Sequence, residues 1–430
     1  MNLKIKFIAA ITLVFFLVQT LIFLKFNETN YDKESKYTNV KTFGAKGNGK
    51  DDDTKAIQNA IIAAKDTGVL VFPKGNYIVS HVSFKSDIEY IGQGTTISAK
   101  EISTPVTIQN VSNIKIEGII FDSKNRASKG LEIQSSTNIK IVNCTFKNAL
   151  NFGLYTEVLK DSIINNSLAI HNGNKDFHDA GFSINGENVA VTDSIAKDNN
   201  ANGIRIFGTD SFIGGRITIS NVHLHHNSNH GLLTTPIGKI QNSPSHIFIS
   251  NSIANNNGTK GIYSGFAVHY SSQSTVQNSL SYENEEHGFV LMDNSFGILK
   301  GNIARKNGVN GIRIQADWNR NQDVHSGVHD AIISDNVILG NGVGSNAPSK
   351  DGISIEGNNY DLQIKNNNIS QNLENGINIK TRKGYKDSYN IFIEGNMLNE
   401  NKLNRITNES LTEKRIYGEN IISGKNVELE

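Results

Sequence analysis

A glycine followed by a short strand of alternating apolar residues recurs along this chain, and that recurrence restricts its fold more than any other feature. The units read GLEIQSSTNIKIVNCTFKN from Gly130, GLYTEVLKDSIINNSLAIHN from Gly153, GFSINGENVAVTDSIAKDN from Gly181 and GIRIFGTDSFIGGRITISNVHLHHN from Gly203. They continue from Gly231, Gly265, Gly288, Gly311, Gly352 and Gly376, with starts 23, 28, 22, 28, 34, 23, 23, 41 and 24 residues apart. Each holds two or three period-2 strands and closes on a near-regular Asn. A unit this small cannot bury a core alone, so neighbours must stack and share one. Short strands, tight turns and no helical periodicity predict an all-β fold, a right-handed single-stranded parallel β-helix of about ten coils. The unequal spacings put the extra residues in loops, one set of which walls a groove along the solenoid.

A length of 430 residues would ordinarily suggest two or three domains. A solenoid overrides that prior, because it grows without needing a second core. The formal net charge of +1 argues against nucleic acid as the main partner. The single Cys144 shares the strand parity of Ile141 and reads as a small buried hydrophobe; no intrachain disulfide is open to it.

The chain divides into an address segment (1–26), a polar tether (27–38), a cap (39–80) and the β-helix with its tail (81–430). Lys4 and Lys6 precede an apolar run from Phe7 to Leu24, with Lys25 after it. That pattern predicts a membrane anchor with its positive end inside, or else a cleaved signal peptide; either puts the remainder outside the cytoplasm or on the cell surface. The oligomeric state is not written in the sequence. Between Asn39 and Ser80 lies the one clear helical pattern, Thr54–Lys65, with Asp53 or Thr54 as cap and Ala56, Ile57, Ala60, Ile61 and Ala64 as an apolar stripe. It suits the open lower end of a solenoid. GAKGNGKDDDT lacks the Gly-Lys-Ser/Thr of a phosphate loop, and its acidic triplet reads as a turn plus cap.

FGAKGNGKDDDTKAIQNAI followed by VLVFPKGNYIVS resembles the amino-terminal cap of the pectate-lyase-like superfamily, which includes polygalacturonases, phage tail-spike depolymerases and mannuronan C-5-epimerases. GFAVHYSSQSTVQNSLSYENEEHGF and NGIRIQ are most similar to epimerase coils. The resemblance spans roughly residues 39 to 400 and implies a β-helix acting on an acidic polysaccharide. The family's catalytic segment, Tyr-Gly-Phe-Asp-Pro-His with a further Asp on the next coil, is met here by Phe152, Tyr155, Glu157 and Asn185, so none of its four side chains is kept. The calcium-binding nonapeptides of the family are also missing, so no cofactor is indicated and calcium stays open without a motif.

The residues themselves describe a groove. After each glycine the first residue points in and the next points out, giving an outward ladder of Tyr155 and Glu157, Ser183 and Asn185, Arg205 and Phe207, Leu233 and Thr235, Ala267 and His269, Val290 and Met292, Arg313 and Gln315, Ser354 and Glu356, Asn378 and Lys380. Rungs ~4.8 Å apart match one sugar each. Removing a proton alpha to a uronate carboxylate needs a group that neutralises the carboxylate, a base and an acid. Tyr155, Glu157, His178, Arg205 and His269 are the candidate catalytic residues; Asn185, Arg313, Gln315, Trp318 and Lys380 are the candidate substrate contacts. Return of the proton to the other face is epimerisation, and loss of the glycosidic oxygen is lyase cleavage. Hydrolysis would need a carboxyl pair, for which Glu157 with Asp179 is the obvious choice. A non-catalytic polysaccharide-binding or surface β-helix protein is the reading from another class. HLHHNSNH, from His223 to His230, could suggest a metal, but His223, His225 and His226 fill ordinary repeat slots, so solvated positions are the reading preferred to a metal site.

Overall fold

The computed structural model describes residues 37–430 apart from Lys175, Lys260, Ile262, 318–326, 345–346, 381–386, Arg405, 409–420 and 423–430. Met1–Tyr37 forms a unit separate from Thr38–Glu430. Apart from Tyr37 that unit, and with it the Phe7–Leu24 run, lies outside the described residues. Among the described residues no helix is long and apolar enough to cross a membrane, which corrects the expectation of a membrane anchor.

The described chain is a right-handed parallel β-solenoid of about thirteen turns. Three ladders of strands run its length, and every pairing is parallel. Within the ladder of glycine-led strands the inward residues pair rung by rung. Leu131 faces Leu154, then Phe182, Ile204, Leu232, Phe266, Phe289, Ile312, Ile353 and Ile377 follow. All are buried in one continuous core, as the period-2 pattern requires. Phe266 and Phe289 stack with ring centroids 5.3 Å apart. Cys144 lies in the same core, where burial pushes its thiol up to about 12.

The glycines and asparagines of the repeat have separate structural reasons. A Cβ on Gly153 would sit 2.6 Å from the carbonyl oxygen of Gly181, and one on Gly203 equally close to that of Gly231. Backbone stacks on backbone there, with no room for a side chain. From Asn172 onward the closing Asn of one coil donates its amide to the next coil's Asn oxygen: Asn172 to Asn199 at 3.0 Å, Asn199 to Asn227 at 2.9 Å, Asn227 to Asn257 at 2.9 Å, and on to Asn401, whereas the half-buried Asn148 donates to Asp122 instead. The same oxygens accept turn N–H groups, as Asn199 does from Asn172 N at 3.1 Å, so the turns keep their buried donors satisfied.

At the lower end the helix Thr54–Ala63 continues into a 3-10 turn, Ala64–Asp66, and packs Ile57, Ala60, Ile61 and Ala64 into the core. Asp53 stands at the cap position but makes no capping bond. Its carboxylate instead accepts from the N–H groups of Lys46 and Gly47, at 2.6 and 3.1 Å. The solenoid begins within the 39–80 segment read as a cap, because Thr38–Asn39, Asn48–Asp52, Val69–Phe72 and Gly75–Val79 already pair into the ladders. These first coils explain the larger turn number.

Candidate functional site

The outward row has the expected register. Tyr155 faces Ser183, which faces Arg205, then Leu233, Ala267, Val290, Arg313, Ser354 and Asn378. Its exposure departs from the expectation of a solvated face. Leu233, Ala267, Val290 and Met292 form a second buried apolar cluster, with Tyr270 packed against it. Ser183, Arg205 and Phe207 are buried as well, so the groove floor is covered over its middle coils.

Arg205 is the extreme case, at 1% exposure. Its Nη1 donates to the carbonyl oxygen of His178 at 3.1 Å, while among the described residues Nε and Nη2 have no hydrogen-bond partner, nor does the nearby rung's Ser183 Oγ. The guanidinium lies 4.7 Å from the ring centre of Phe207, which stacks on Tyr155 at 5.6 Å. Burial brings the Arg205 pKa down to about 10. A buried cation with unmet donors costs several kcal/mol and persists where something else requires it.

Around this guanidinium the strand Phe152–Asn165 supplies Tyr155 and Glu157, the phenol donating to Oε2 of Glu157 at 3.4 Å. Lys129, itself paired with Glu132, sits 4.2 Å from the Tyr155 ring centre. Burial, then the Glu157 charge, push the Tyr155 hydroxyl up to about 12, so it holds its proton. The loop before strand Ala180–Ile184 supplies His178, which is exposed and whose pKa is lowered by partial burial and by Arg205. Burial raises the pKa of Asp179, whose carboxylate accepts from Asn151 and from the N–H of Asn174. The loop is tied across neighbouring coils. Asn202 donates to the Phe177 carbonyl at 2.7 Å and Asn229 to that of Asp176 at 3.2 Å. A cleft of about 490 Å³ lined by Glu187, Asp210, Phe212, Arg216 and His246 opens nearby but does not include Arg205.

Asn185 serves the backbone instead of the groove. Fully buried, it accepts from Val158 N at 2.8 Å and donates to the carbonyls of Phe207 and Phe212 at 2.8 and 3.1 Å. It therefore has nothing left for a substrate, which corrects its place among the sugar contacts. Arg313 donates to Glu356 at 2.7 Å and Lys380 pairs with Asp351 at 3.0 Å, so carboxylates of the protein already neutralise both. Gln315 donates to the sulfur of Met292. Trp318 lies outside the described residues. His269 is 9% exposed, and burial, then His230, bring its pKa down to about 3. It stands two rungs from Arg205, beside His230 rather than beside Tyr155.

Sequence reasoning missed His230, Tyr263, Glu286 and His287, which crowd the row just before the glycines. An ionisable residue ahead of the glycine in separate units (His230, His287, Asp351) was the available signal. On another face His223, His225 and His226 sit together, with His223 bonded to Asn255 at 2.7 Å. Among the described residues no group of three His, Cys, Asp or Glu could hold a metal.

Comparison with known proteins agrees with the fold. The family model of rhamnogalacturonase A/epimerase, pectate lyase-like proteins matches residues 37–224, and that of the right handed beta helix region matches 180–322. The fold is the pectate lyase/epimerase-like right-handed parallel β-helix. The chain is related to the AlgE mannuronan C5-epimerases, being 27% identical over 289 residues to AlgE2 of Azotobacter vinelandii. That match takes in 64% of this chain but 22% of AlgE2, so the chain spans about a fifth of its relative. Among solved structures the AlgE6 A-module of the same organism superimposes with a TM-score of 0.68 at 18% identity, covering 91% of this chain and 98% of the module. The N-terminal fragment of bacteriophage phi29 gene product 12 gives 0.65 at 15%, covering 91% and 74%. At these identities the structural likeness speaks for fold alone, and function must be argued from the site.

Proposed function

We propose that this protein is an enzyme acting on a uronate-containing polysaccharide by lyase or C-5-epimerase chemistry. The observation that carries the reading is the Arg205 guanidinium, buried yet with two nitrogens unpartnered, next to a protonated tyrosine and a neutral histidine. A sugar carboxylate is the planar anion such a fork binds best. Arg205 is covered by the loop that bears His178, so substrate entry requires that loop to lift and its carbonyl to give way to the carboxylate.

Each residue then has a role. Arg205 offsets the carboxylate and so stabilises the enolate-like anion formed when the alpha proton leaves. His178, kept neutral on the rim, takes that proton from carbon. Tyr155 holds a proton, and Glu157 at its hydroxyl orients it. If Tyr155 delivers that proton to carbon on the opposite face, the product is the epimer. If the electron pair instead expels the glycosidic oxygen, which takes the Tyr155 proton, the product is an unsaturated uronate and a shorter chain.

The likeness to mannuronan C5-epimerases supports the epimerase arm, and the loss of all four family side chains supports a changed mechanism or substrate. A second reading, carbohydrate binding without turnover, is favoured by Asn185, which fills the slot of the family's further catalytic Asp yet has its polar atoms spent on the backbone. The test is incubation with alginate, pectate and glycosaminoglycans in deuterated water. Ultraviolet absorbance of unsaturated uronate identifies a lyase, and deuterium uptake without chain scission an epimerase. Binding with neither signal leaves the second reading standing and removes the first.

A further inference from the structure

Next to Arg205 along the groove lies a cluster of quite different chemistry. His230, Ser264, His287 and Asn310 occupy the position before the glycine on successive coils, stacked through backbone bonds such as Gly231 N to Ser264 O at 3.1 Å. His230 is 5% exposed, and its Nδ1 accepts from Ser264 N at 3.0 Å, so the neutral ring carries its proton on Nε2. Among the described residues that Nε2 and both ring nitrogens of His269 have no hydrogen-bond partner. The His230 ring meets Tyr263 edge-on at 5.0 Å, His269 at 5.8 Å and Phe177 at 6.0 Å. Phe177 is 37% exposed and Tyr263 half-buried, so both aromatic rings reach the surface.

The charge balance here opposes an anionic ligand. Burial holds His230 at about 4 and His269 at about 3, so neither is a cation near neutral pH. Glu286 is ionised. Burial alone would raise its pKa, but His287 and Ser264, which hold its two oxygens at 3.3 and 2.9 Å, outweigh that and bring it to about 2. Unused imidazole nitrogens between two aromatic rings suit sugar hydroxyls, which both donate and accept, and apolar sugar faces. Among the described residues of this cluster a carboxylate would find no counter-charge and a resident anion.

We infer that the groove has, one to two rungs from Arg205, a subsite for an uncharged, hydroxyl-rich sugar built by Phe177, His230, Tyr263 and His269, so that the substrate is a mixed polysaccharide in which a uronate neighbours a neutral sugar. This rests on the assignment of Arg205 as the carboxylate receptor. The distance is ~5–10 Å, the reach of one or two strand spacings, so both subsites serve one chain. The consequence is selectivity, because a homopolyuronate would force its second carboxylate against Glu286.

Titration calorimetry with hyaluronan oligosaccharides, which alternate uronate and N-acetylhexosamine, and with polygalacturonate oligosaccharides of equal length tests the inference. Wild-type protein is expected to bind the alternating polymer at least tenfold more tightly. Tyr263→Ala and His230→Gln should each remove that advantage while leaving polygalacturonate affinity and the melting temperature unchanged. Equal or tighter binding of polygalacturonate by the wild type, or variants that weaken both ligands alike, overturns the subsite. Arg205→Ala separates the two claims. Loss of both ligands upholds the carboxylate receptor even if the neutral subsite falls, and unchanged binding of both sinks the receptor itself. Failure of the wild type to bind either probe overturns both.

Discussion

Arg205 and Arg313 occupy the same outward row of one sheet, four rungs apart, and the protein treats them in opposite ways. Arg313 has Glu356 at 2.7 Å, so its charge is met within the fold, and among the described residues only its Nε goes without a partner. Arg205 has one backbone carbonyl, two idle nitrogens and a phenylalanine face. Strand position and residue type are identical, so the difference comes from what the neighbouring coils offer. An arginine with a resident carboxylate is part of the structure, whereas one without is kept for an incoming anion. The lesson is that residue type along a solenoid groove is a poor guide to function until each charge's partner has been found.

Methionine at each position should pull the two arginines furthest apart. Arg205→Met is expected to cut activity a hundredfold or more, the scale of losing one charge-stabilising group. Its melting temperature should hold or rise, because a partnerless buried cation gives way to an apolar chain of similar reach. Arg313→Met should do the reverse, losing about 1–3 kcal/mol through the carboxylate left behind while activity falls only modestly. Paired thermal melts and rate assays decide it, and an early-melting Arg205→Met beside a stable Arg313→Met would exchange the two roles.

A smaller effect follows from acid. His230 and His269 titrate near 6.5 when unfolded but at about 4 and about 3 in the fold. Below pH 6.5 the unfolded chain takes up protons first, so their contribution is complete above 6.5 and drains away as pH falls toward 3. Glu286, depressed from 4.5 to about 2, adds loss in the same direction between those values. Melting temperature should therefore decline steadily from pH 6.5 downward, and His269→Gln should flatten the upper part of that decline. A profile that His269→Gln leaves untouched would move the acid sensitivity elsewhere. In the rate, His178 as base predicts activity that is full above its lowered pKa and falls as pH drops through it, below 6.5. His178→Ala should erase that limb along with the activity.

The smallest change belongs to a third arginine. Arg216 pairs with Glu187 on an open surface, so Arg216→Ala should shift stability by no more than ~0.5 kcal/mol and leave turnover alone. A large effect on turnover would mean that the nearby cleft, and not the covered row, holds the chemistry.

Much of the fold was legible because a period of two fixes which side chains face the core. Leu131 through Ile377 could be named in order from spacing alone. The coils ahead of Gly130 were harder to see, since Val69–Phe72 and Gly75–Val79 lack the glycine-led signature and the segment reads first as a cap. The site was less legible. Periodicity says that Arg205 and Phe207 point outward, but not that a loop tied by Asn202 and Asn229 lies over them. Asn185 looked like a sugar contact because its type fits one, yet three backbone partners from distant turns claim it. Such contacts join residues more than twenty positions apart and leave no local pattern.

The glycine stack has a bearing on reading a polymer. Because the glycine carbonyls fill the space where a neighbouring coil's side chain would be and also accept that coil's N–H, as Gly231 O does from Ile204 N at 2.9 Å, the step from coil to coil can neither shrink nor stretch, and the outward row is in effect a ruler with fixed divisions. A sugar chain laid on it agrees with the divisions only locally. If its own step differs by even a small fraction, it slips out of phase over a few units. Arg205 and the histidines one or two divisions away can read a single chain in phase, while Arg313, four divisions off, meets whatever part the accumulated drift brings. A ruler this rigid makes for short-range discrimination, and only a bend in the polymer could extend it.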